Sequence, residues 1–308
     1  MKNIYEVQAG NKIKSALVVV FFAVFVALSV WVLSKGASVY LGYEPGALGF
    51  SGIALILSGI MTFGSYYFSD RIVLGISGAR PANKNEDRLF TSVIDNLVLA
   101  KGLPKPKLYV IDDTAPNAFA TGRDPQHAVV CATTGLLQKL TRTELEGVMA
   151  HELTHIRNYD IRLMSLVAVM VGMVALLADW FFRLSFHGGR RDRDKTGIDA
   201  LIIVLGIVFA LLSPIIAQLI QLAISRRREF MADAGSVDMT RQPSGLISAL
   251  KKISLDHEPL EAANKATAHL YIANPFKDKM ASSVSWFSGL FNTHPPIEER
   301  VKVLSQML

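Results

Sequence analysis

The run His151-Glu152-Leu153-Thr154-His155 places two imidazoles four residues apart, with a glutamate directly after the first. On an α-helix, positions i and i+4 lie above one another on one face, so both rings can bind one Zn2+ at about 2.0 to 2.1 Å. Glu152 is then beside the metal, where a carboxylate can take the proton from a metal-activated water. The pattern predicts a hydrolytic zinc site, although a solvated helix can carry the same residues by chance.

A catalytic zinc ion keeps three protein ligands and one open position, so a third ligand is needed. We predict Glu229, within the segment 225–236 (SRRREFMADAGS), for this role. Asp233 lies four residues later on the same helical face, where its carboxylate can accept the ring N–H of a ligating histidine and fix the tautomer. The alternative is that Glu229 pairs with the neighbouring arginines on a helix that flanks a membrane.

Two further classes of protein fit parts of this pattern. An inactive membrane scaffold or holdase would keep zinc for structure, but structural sites usually have four protein ligands, and no fourth Cys or His stands near these three. A transporter would need ionisable groups or broken helices at mid-membrane, where the apolar segments offer only Pro214, Gln218, Gln221 and glycines. Both comparisons favour catalysis.

The composition indicates that part of the chain faces lipid. The 308 residues are 51% hydrophobic and 19% charged, with a mean hydropathy of +0.33. Four apolar stretches predict four hydrophobic helices, at 16–33, 46–68, 163–178 and 200–217. The first two contain no charge and are long enough to cross a hydrocarbon core of about 30 Å. A cleaved signal peptide is the alternative for the first, but its apolar run exceeds a typical signal sequence.

Basic residues predict how the chain is oriented. Lys2, Lys12 and Lys14 precede the first stretch, whereas the connector to the second offers only Lys35 and Glu44. The positive-inside rule therefore places the N-terminus, and everything after residue 69, in the cytoplasm. The loop between the third and fourth stretches is rich in arginine, which disagrees with a full crossing. Whether that pair spans the membrane or only dips into it stays open.

Cysteine and net charge restrict the compartment and the partners. Cys131 is the single cysteine of the chain, which fits a reducing compartment and excludes an internal disulfide. The net charge of +6 is what basic residues flanking membrane segments produce. The chain therefore gives no reason to expect a nucleic-acid partner.

A helix and a small sheet are predicted ahead of the metal motif. Residues 86–100 carry a helical apolar stripe that ends at Gly102, made of Leu89, Phe90, Val93, Leu97 and Val98. The runs 107–111 and 127–133 resemble short strands, and the loop predicted between them, 112–126, is rich in turn residues.

The helix that carries the metal motif begins with a capping box. Thr141 and Glu144 form the T-x-x-E pattern. No Gly or Pro follows Gly147 in this helix, so we expect it to run on into the stretch 163–178. Beyond residue 226 the pattern is mostly helical, with prolines placed to begin two helices, namely Pro243 and the pair Pro295 and Pro296.

Four segments carry a resemblance to a known family: NAFATG at 117–122, VMAHELTHIRNYD at 148–160, RREFMADAGS at 227–236 and THPPIEERV at 293–301. Over essentially its whole length, the chain resembles the HtpX-type membrane metallopeptidases, relatives of the CAAX prenyl endopeptidases. The resemblance implies a zinc endopeptidase of membrane protein quality control. It also implies a bacterial inner membrane, a cytoplasmic active site, and misfolded or damaged membrane proteins as polypeptide substrates.

The predicted fold class is a mainly α integral membrane protein with a zincin-like α+β metallopeptidase domain, a small sheet and four hydrophobic helices. We expect four parts along the chain. They are an N-terminal transmembrane hairpin (1–70), a first peptidase part (71–160), a second hydrophobic helix pair (161–225) and a second peptidase part with the third zinc ligand (226–308).

The resemblance implies two more pairs of site residues. His294 and Arg300 would steady the oxyanion that develops during hydrolysis. The alternative is that His294 caps the last helix and Arg300 lies on a solvated face. NAFATG is similar to a strand that binds substrate by adding an edge to a sheet, with Asn117 and Ala118 as contact residues. A structural turn after Pro116 is the alternative there.

Overall fold

The computed structural model describes residues 4–41, 56, 59–60, 63–170, 226–262, 267–273, 275 and 295–308. Within these ranges the helices are α1 (Ile4–Leu41), α2 (Ser69–Ile76), α3 (Arg88–Lys101), α4 (Thr134–Lys139), α5 (Arg142–Arg157), α6 (Arg226–Thr240), α7 (Pro243–Leu255) and α8 (Ile297–Ser305). The strands are β1 (Arg80–Pro81), β2 (Lys107–Ile111), β3 (Ala118–Gly122) and β4 (Ala128–Thr133). Short 3-10 turns lie at Pro125–His127 and Ala268–Leu270, and residues 160–170 are helical.

The N-terminal helix α1 contains the first predicted membrane stretch, 16–33. Among the residues that the structure describes, no helix is both long enough and apolar enough to cross a membrane. The stretch 200–217, most of 46–68 and the second half of 163–178 lie outside the described residues. The four membrane helices therefore stay a prediction.

Four strands form one mixed sheet in the order β1-β2-β4-β3. β2 and β4 are parallel, whereas β1 and β3 pair antiparallel at the two edges. β2 has its predicted bounds, and β4 begins one residue later than predicted. The local pattern predicted a loop throughout 112–126, which was wrong, because β3 occupies part of it. The resemblance, which implied a strand at 117–122, agrees with β3. All five residues of β3 are buried, with α2 and α5 packed against the strand, and this burial overrides the local turn propensity.

Helix α3 confirms the helix predicted over 86–100, shifted by one or two residues. It ends at Gly102, whose φ of 62° is the left-handed conformation that favours glycine after a helix. Its buried face comprises Phe90, Val93, Ile94, Leu97 and Val98. Leu89, which the stripe included, is 37% exposed, and Ile94 takes its place in the core.

Helix α5 begins with the predicted capping box. The Thr141 backbone N–H donates to the Glu144 carboxylate at 2.8 Å. In return, the Glu144 backbone N–H donates to the Thr141 side chain. Burial opposes ionisation of Glu144, but hydrogen bonds from Lys252 and Ser248 outweigh it and lower its pKa to about 2. The carboxylate is therefore charged at neutral pH and ties the start of α5 to α7.

The expected continuation of α5 into the stretch 163–178 was wrong. The helix ends at Arg157, and Tyr159 has a φ of 61°, a left-handed backbone conformation that interrupts the helix. Helical structure resumes at residue 160. The interruption reorients the chain without any Gly or Pro, and it places Asp160 back against α5.

Helix α6 crosses α5 at close range. Ser236 Oγ donates to the Gly147 carbonyl at 2.7 Å, and a Cβ added to Gly235 would lie 2.3 Å from a methyl carbon of Thr154. The small residue at 235 is therefore what lets the two backbones approach. This crossing sets the first half of α6 opposite the metal motif. Helix α7 begins at Pro243 as predicted, and α8 begins directly after Pro296.

Candidate metal centre

His151 and His155 on α5 and Glu229 on α6 form one buried cluster, each at most 4% exposed. The two Nε2 atoms are 3.2 Å apart, and they lie 3.7 and 3.6 Å from the Glu229 carboxylate oxygens. Ligands at 2.0 to 2.1 Å around a tetrahedral zinc ion would be about 3.3 to 3.4 Å apart. The three side chains therefore fit one metal ion.

The outer nitrogens of both imidazoles are held by carboxylates. His151 Nδ1 lies 2.9 Å from Asp233, and His155 Nδ1 lies 2.9 Å from Asp160. Because an ionised carboxylate only accepts hydrogen bonds, we assign the ring proton to Nδ1 in both cases. Both Nε2 lone pairs then face each other and Glu229. Three electron-pair donors converging in a buried space need a cation between them, which is the chemistry of a metal site.

The groups around His151 favour a positive charge at this position. Burial opposes a positive charge on the ring, but hydrogen bonds to Asp233 and Glu229 outweigh it and raise the pKa of His151 to about 9. Burial likewise opposes the negative charge of Asp233, yet the nearby Arg300 guanidinium and the bond to His151 lower its pKa. The centre is therefore built to hold positive charge.

Asp160 is the site residue that sequence reasoning missed. On a continuous helix, a residue five positions after His155 would lie about 140° around the axis from it. The interruption at Tyr159 is what turns the carboxylate back to the ring. Asp160 is 1% exposed and holds His155 as Asp233 holds His151. Helical spacing predicted Asp233, and no comparable signal marks Asp160.

Arg300 is in the site and is completely buried. It donates to both oxygens of Asp233, from Nε at 2.9 Å and from Nη2 at 2.6 Å, and its Nη1 is 3.9 Å from Glu229. The alternative of a solvated Arg300 is wrong. Its guanidinium is bound to Asp233, the carboxylate that holds His151, and its positive charge offsets the charges of Asp233 and Glu229. His294, its predicted companion, lies outside the described residues.

Glu152 follows the first ligand on α5 and is 3% exposed. It is close enough to Arg300 for its negative charge to raise the pKa of the guanidinium, against the larger, opposing effect of burial. The predicted base is thus buried next to His151 in the chain, within reach of the charge on Arg300.

Asn117 and Ala118 contact the chain itself. The Asn117 side-chain amide donates to the Ala273 carbonyl at 3.1 Å, and Ile272 N–H donates to the Ala118 carbonyl at 2.9 Å. Thr133 N–H donates to the Asn117 carbonyl. In an antiparallel pair, every second residue of a strand bonds to the neighbouring strand, so the backbone N–H and C=O groups of Ala118 and Ala120 point away from β4. The segment around 272 therefore already pairs with the outer edge of β3 at Ala118.

The fold and this centre define a metalloprotease of the HExxH type, and comparison with known proteins gives its family. The model of peptidase family M48 matches residues 84–308, and the chain belongs to that family. It is therefore a metalloprotease, which supports the enzyme over the scaffold and the transporter.

Several proteins named protease HtpX homolog are similar along their whole length. The one from Dictyoglomus thermophilum is 42% identical over 303 residues, covering 98% of this chain and 94% of that protein. The one from Thermoanaerobacter pseudethanolicus is 41% identical over 316 residues, covering 99% and 98%. Among solved structures, S. mikatae Ste24p aligns with a TM-score of 0.46 at 18% identity, covering 96% of this chain and 67% of that chain.

Proposed function

We propose that the protein is a zinc-dependent endopeptidase of a bacterial inner membrane. Its active site faces the cytoplasm, and it cleaves misfolded or damaged membrane proteins. The observation that carries the proposal is the buried His151–His155–Glu229 cluster with Glu152 beside it. Two imidazoles, one carboxylate and an open position suit zinc better than harder or softer metals.

The chain's own residues supply the proton transfers. Bound zinc would lower the pKa of a water molecule and polarise the scissile carbonyl. Glu152 takes the proton as the water oxygen bonds to the carbonyl carbon, and it gives the proton to the amine when the C–N bond breaks. Asp233 and Asp160 hold the rings of His151 and His155 in place throughout.

Arg300 and His294 are proposed to steady the oxyanion, and Asn117 and Ala118 to contact the substrate. The contacts of Arg300 support a part in the electrostatics of the centre, because its charge offsets Asp233 and Glu229. At β3, a substrate strand would pair with the outward backbone of Ala120, or would displace the segment around 272 from Ala118.

The surface of α1 supports a membrane location. Several apolar side chains on one side of this helix are at least 46% exposed, among them Leu17, Val20, Val24 and Trp31, whereas Val18 is buried. A contiguous apolar surface of this kind marks a membrane or a protein contact. This location supports membrane proteins as substrates, because an active site close to a membrane helix lies near polypeptides that are anchored in the same bilayer.

Tethering the substrate tests this location. The full-length protein is placed in liposomes with an unfolded polypeptide that is anchored by its own transmembrane helix, or with the same polypeptide free in solution. We expect the anchored form to be cleaved at least about tenfold faster at equal total concentration, because both partners share one surface. Fragments are quantified over time, with the Glu152→Gln protein as the blank. Equal rates for the two forms would contradict the membrane substrate class.

A further inference from the structure

Asn11 is a buried polar residue far along the chain from the metal motif. It lies on α1 and is 4% exposed. Its amide Nδ2 donates to the Asn158 carbonyl at 3.0 Å and to Asp160 Oδ1 at 2.7 Å. Both hydrogens of the amide are therefore used, one on Asn158 in the interruption after α5 and one on Asp160, where helical structure resumes.

The bond to Asp160 links Asn11 to the metal centre through one carboxylate. The other oxygen of the same carboxylate, Asp160 Oδ2, lies 2.9 Å from His155 Nδ1. Arg228 Nε lies 3.8 Å from Asp160 Oδ1 and adds a positive charge on that side. Asn11 thus fixes the rotation of the carboxylate that fixes the ring of His155.

A second hydrogen bond holds α1 against the end of α5. Gln8 Nε2 donates to the Arg157 carbonyl at 2.8 Å. Carbonyls in the last turn of a helix have no partner within the helix, so Gln8 and Asn11 satisfy two of them at the end of α5. The hydrogen bond of Gln8 goes to the Arg157 carbonyl and not to the carboxylate of Asp160, and this separates its role from that of Asn11.

We propose that Asn11 is a positioning residue of the metal centre, so that the N-terminal helix helps to set the affinity for zinc. The inference rests on the proposed function, because it requires zinc at His151, His155 and Glu229. A neutral amide suits the position. It donates to Asp160 without adding a charge, whereas a carboxylate there would repel Asp160 and leave its oxygen without this donor.

The affinity for zinc tests the proposal without reference to cleavage. Metal-free, full-length protein in detergent competes for zinc with a chromophoric chelator. Loss of a hydrogen-bond partner of a ligating histidine typically costs 10- to 100-fold in metal affinity. We expect about that loss for Asp160→Ala and a smaller loss, about three- to tenfold, for Asn11→Ala. Asn11→Asp, which has the same shape, should bind zinc at least as weakly as Asn11→Ala.

Two controls separate the link through Asp160 from simple docking of the helix. Gln8→Ala removes the neighbouring bond and should change the affinity less than twofold. In an Asp160→Ala background, Asn11→Ala should cause no further loss, because the residue through which it acts is gone. The absorption of bound Co2+ should change in Asn11→Ala and not in Gln8→Ala, since only the former alters the setting of His155.

Wild-type affinity in both Asn11 variants would overturn the proposal. So would equal losses in Gln8→Ala and Asn11→Ala that add to the loss from Asp160→Ala, since that result describes docking alone. If the unaltered protein binds no zinc at this site, the proposed function fails and this inference fails with it. If it binds zinc and the Asn11 variants match it, only the inference fails.

Discussion

We expect Glu152→Gln to abolish peptide hydrolysis while the protein still binds one zinc ion. Glutamine has nearly the shape of glutamate but cannot take a proton from water, and loss of a positioned general base typically costs about 10²- to 10⁴-fold. Glu152 is not one of the three ligands of the cluster, so the metal should stay. The measurements are kcat on an unfolded polypeptide in detergent and zinc content by elemental analysis.

Glu146→Gln is the matched control for this result. Glu146 lies on the same helix, is partly exposed and pairs with Arg142 at 3.0 Å. Surface pairs of this kind contribute little to stability, so this variant should keep its activity. A Glu152→Gln protein that cleaved at nearly the normal rate would show that another group serves as the base.

We expect Glu229→Ala to lose both zinc and activity. Removing a residue that only orients a ligand costs up to about 100-fold in metal affinity, so removing a ligand should cost more than 100-fold. The substitution also leaves Arg300 beside the two histidines with one carboxylate fewer, which further disfavours a cation. Chelator competition measures the affinity, and cleavage of the same polypeptide measures the activity.

Asp238→Ala provides the comparison on the same helix. Asp238 is 44% exposed and pairs with Lys101 and Arg157 at the surface, away from the cluster. That protein should bind zinc as the unaltered chain does. If Glu229→Ala kept full affinity for zinc, the third ligand would have to be a different residue.

Local rules predicted much of the peptidase part. The HExxH spacing predicted that His151 and His155 share one helical face. The same four-residue spacing predicted that Asp233 and Glu229 share a face of their helix. The capping box at Thr141 and Glu144 and the left-handed Gly102 also follow from short-range chemistry. In each case the signal lies within one or two turns of chain, where geometry is fixed by the backbone.

The features that sequence reasoning missed depend on distant parts of the chain. The local pattern missed β3, and only the resemblance pointed to a strand there, because burial against α2 and α5 decides a segment whose residues favour turns. Asp160 reaches His155 because the helix is interrupted at Tyr159, although no Gly or Pro announces the break. Asn11 meets Asp160 across 149 residues, and no local periodicity could reveal that contact.

The burial of Arg300 also depends on a distant part of the chain. Its role in the site came from resemblance alone, because the residue pattern allowed Arg300 to lie on a solvated face. The structure buries it against Asp233 on α6. A buried arginine is stable only with a carboxylate partner. Here that partner is Asp233, which lies 67 residues earlier and holds His151.

The most direct measurement follows cleavage as zinc is returned to metal-stripped, full-length protein. We expect no cleavage without metal and a rise that saturates at one zinc ion per chain, with an unfolded polypeptide as the substrate. The same titration of Glu152→Gln should bind one zinc ion and give no cleavage. Full cleavage by the stripped protein, or one bound zinc ion with no cleavage by the unaltered chain, would contradict a zinc-dependent peptidase at this site.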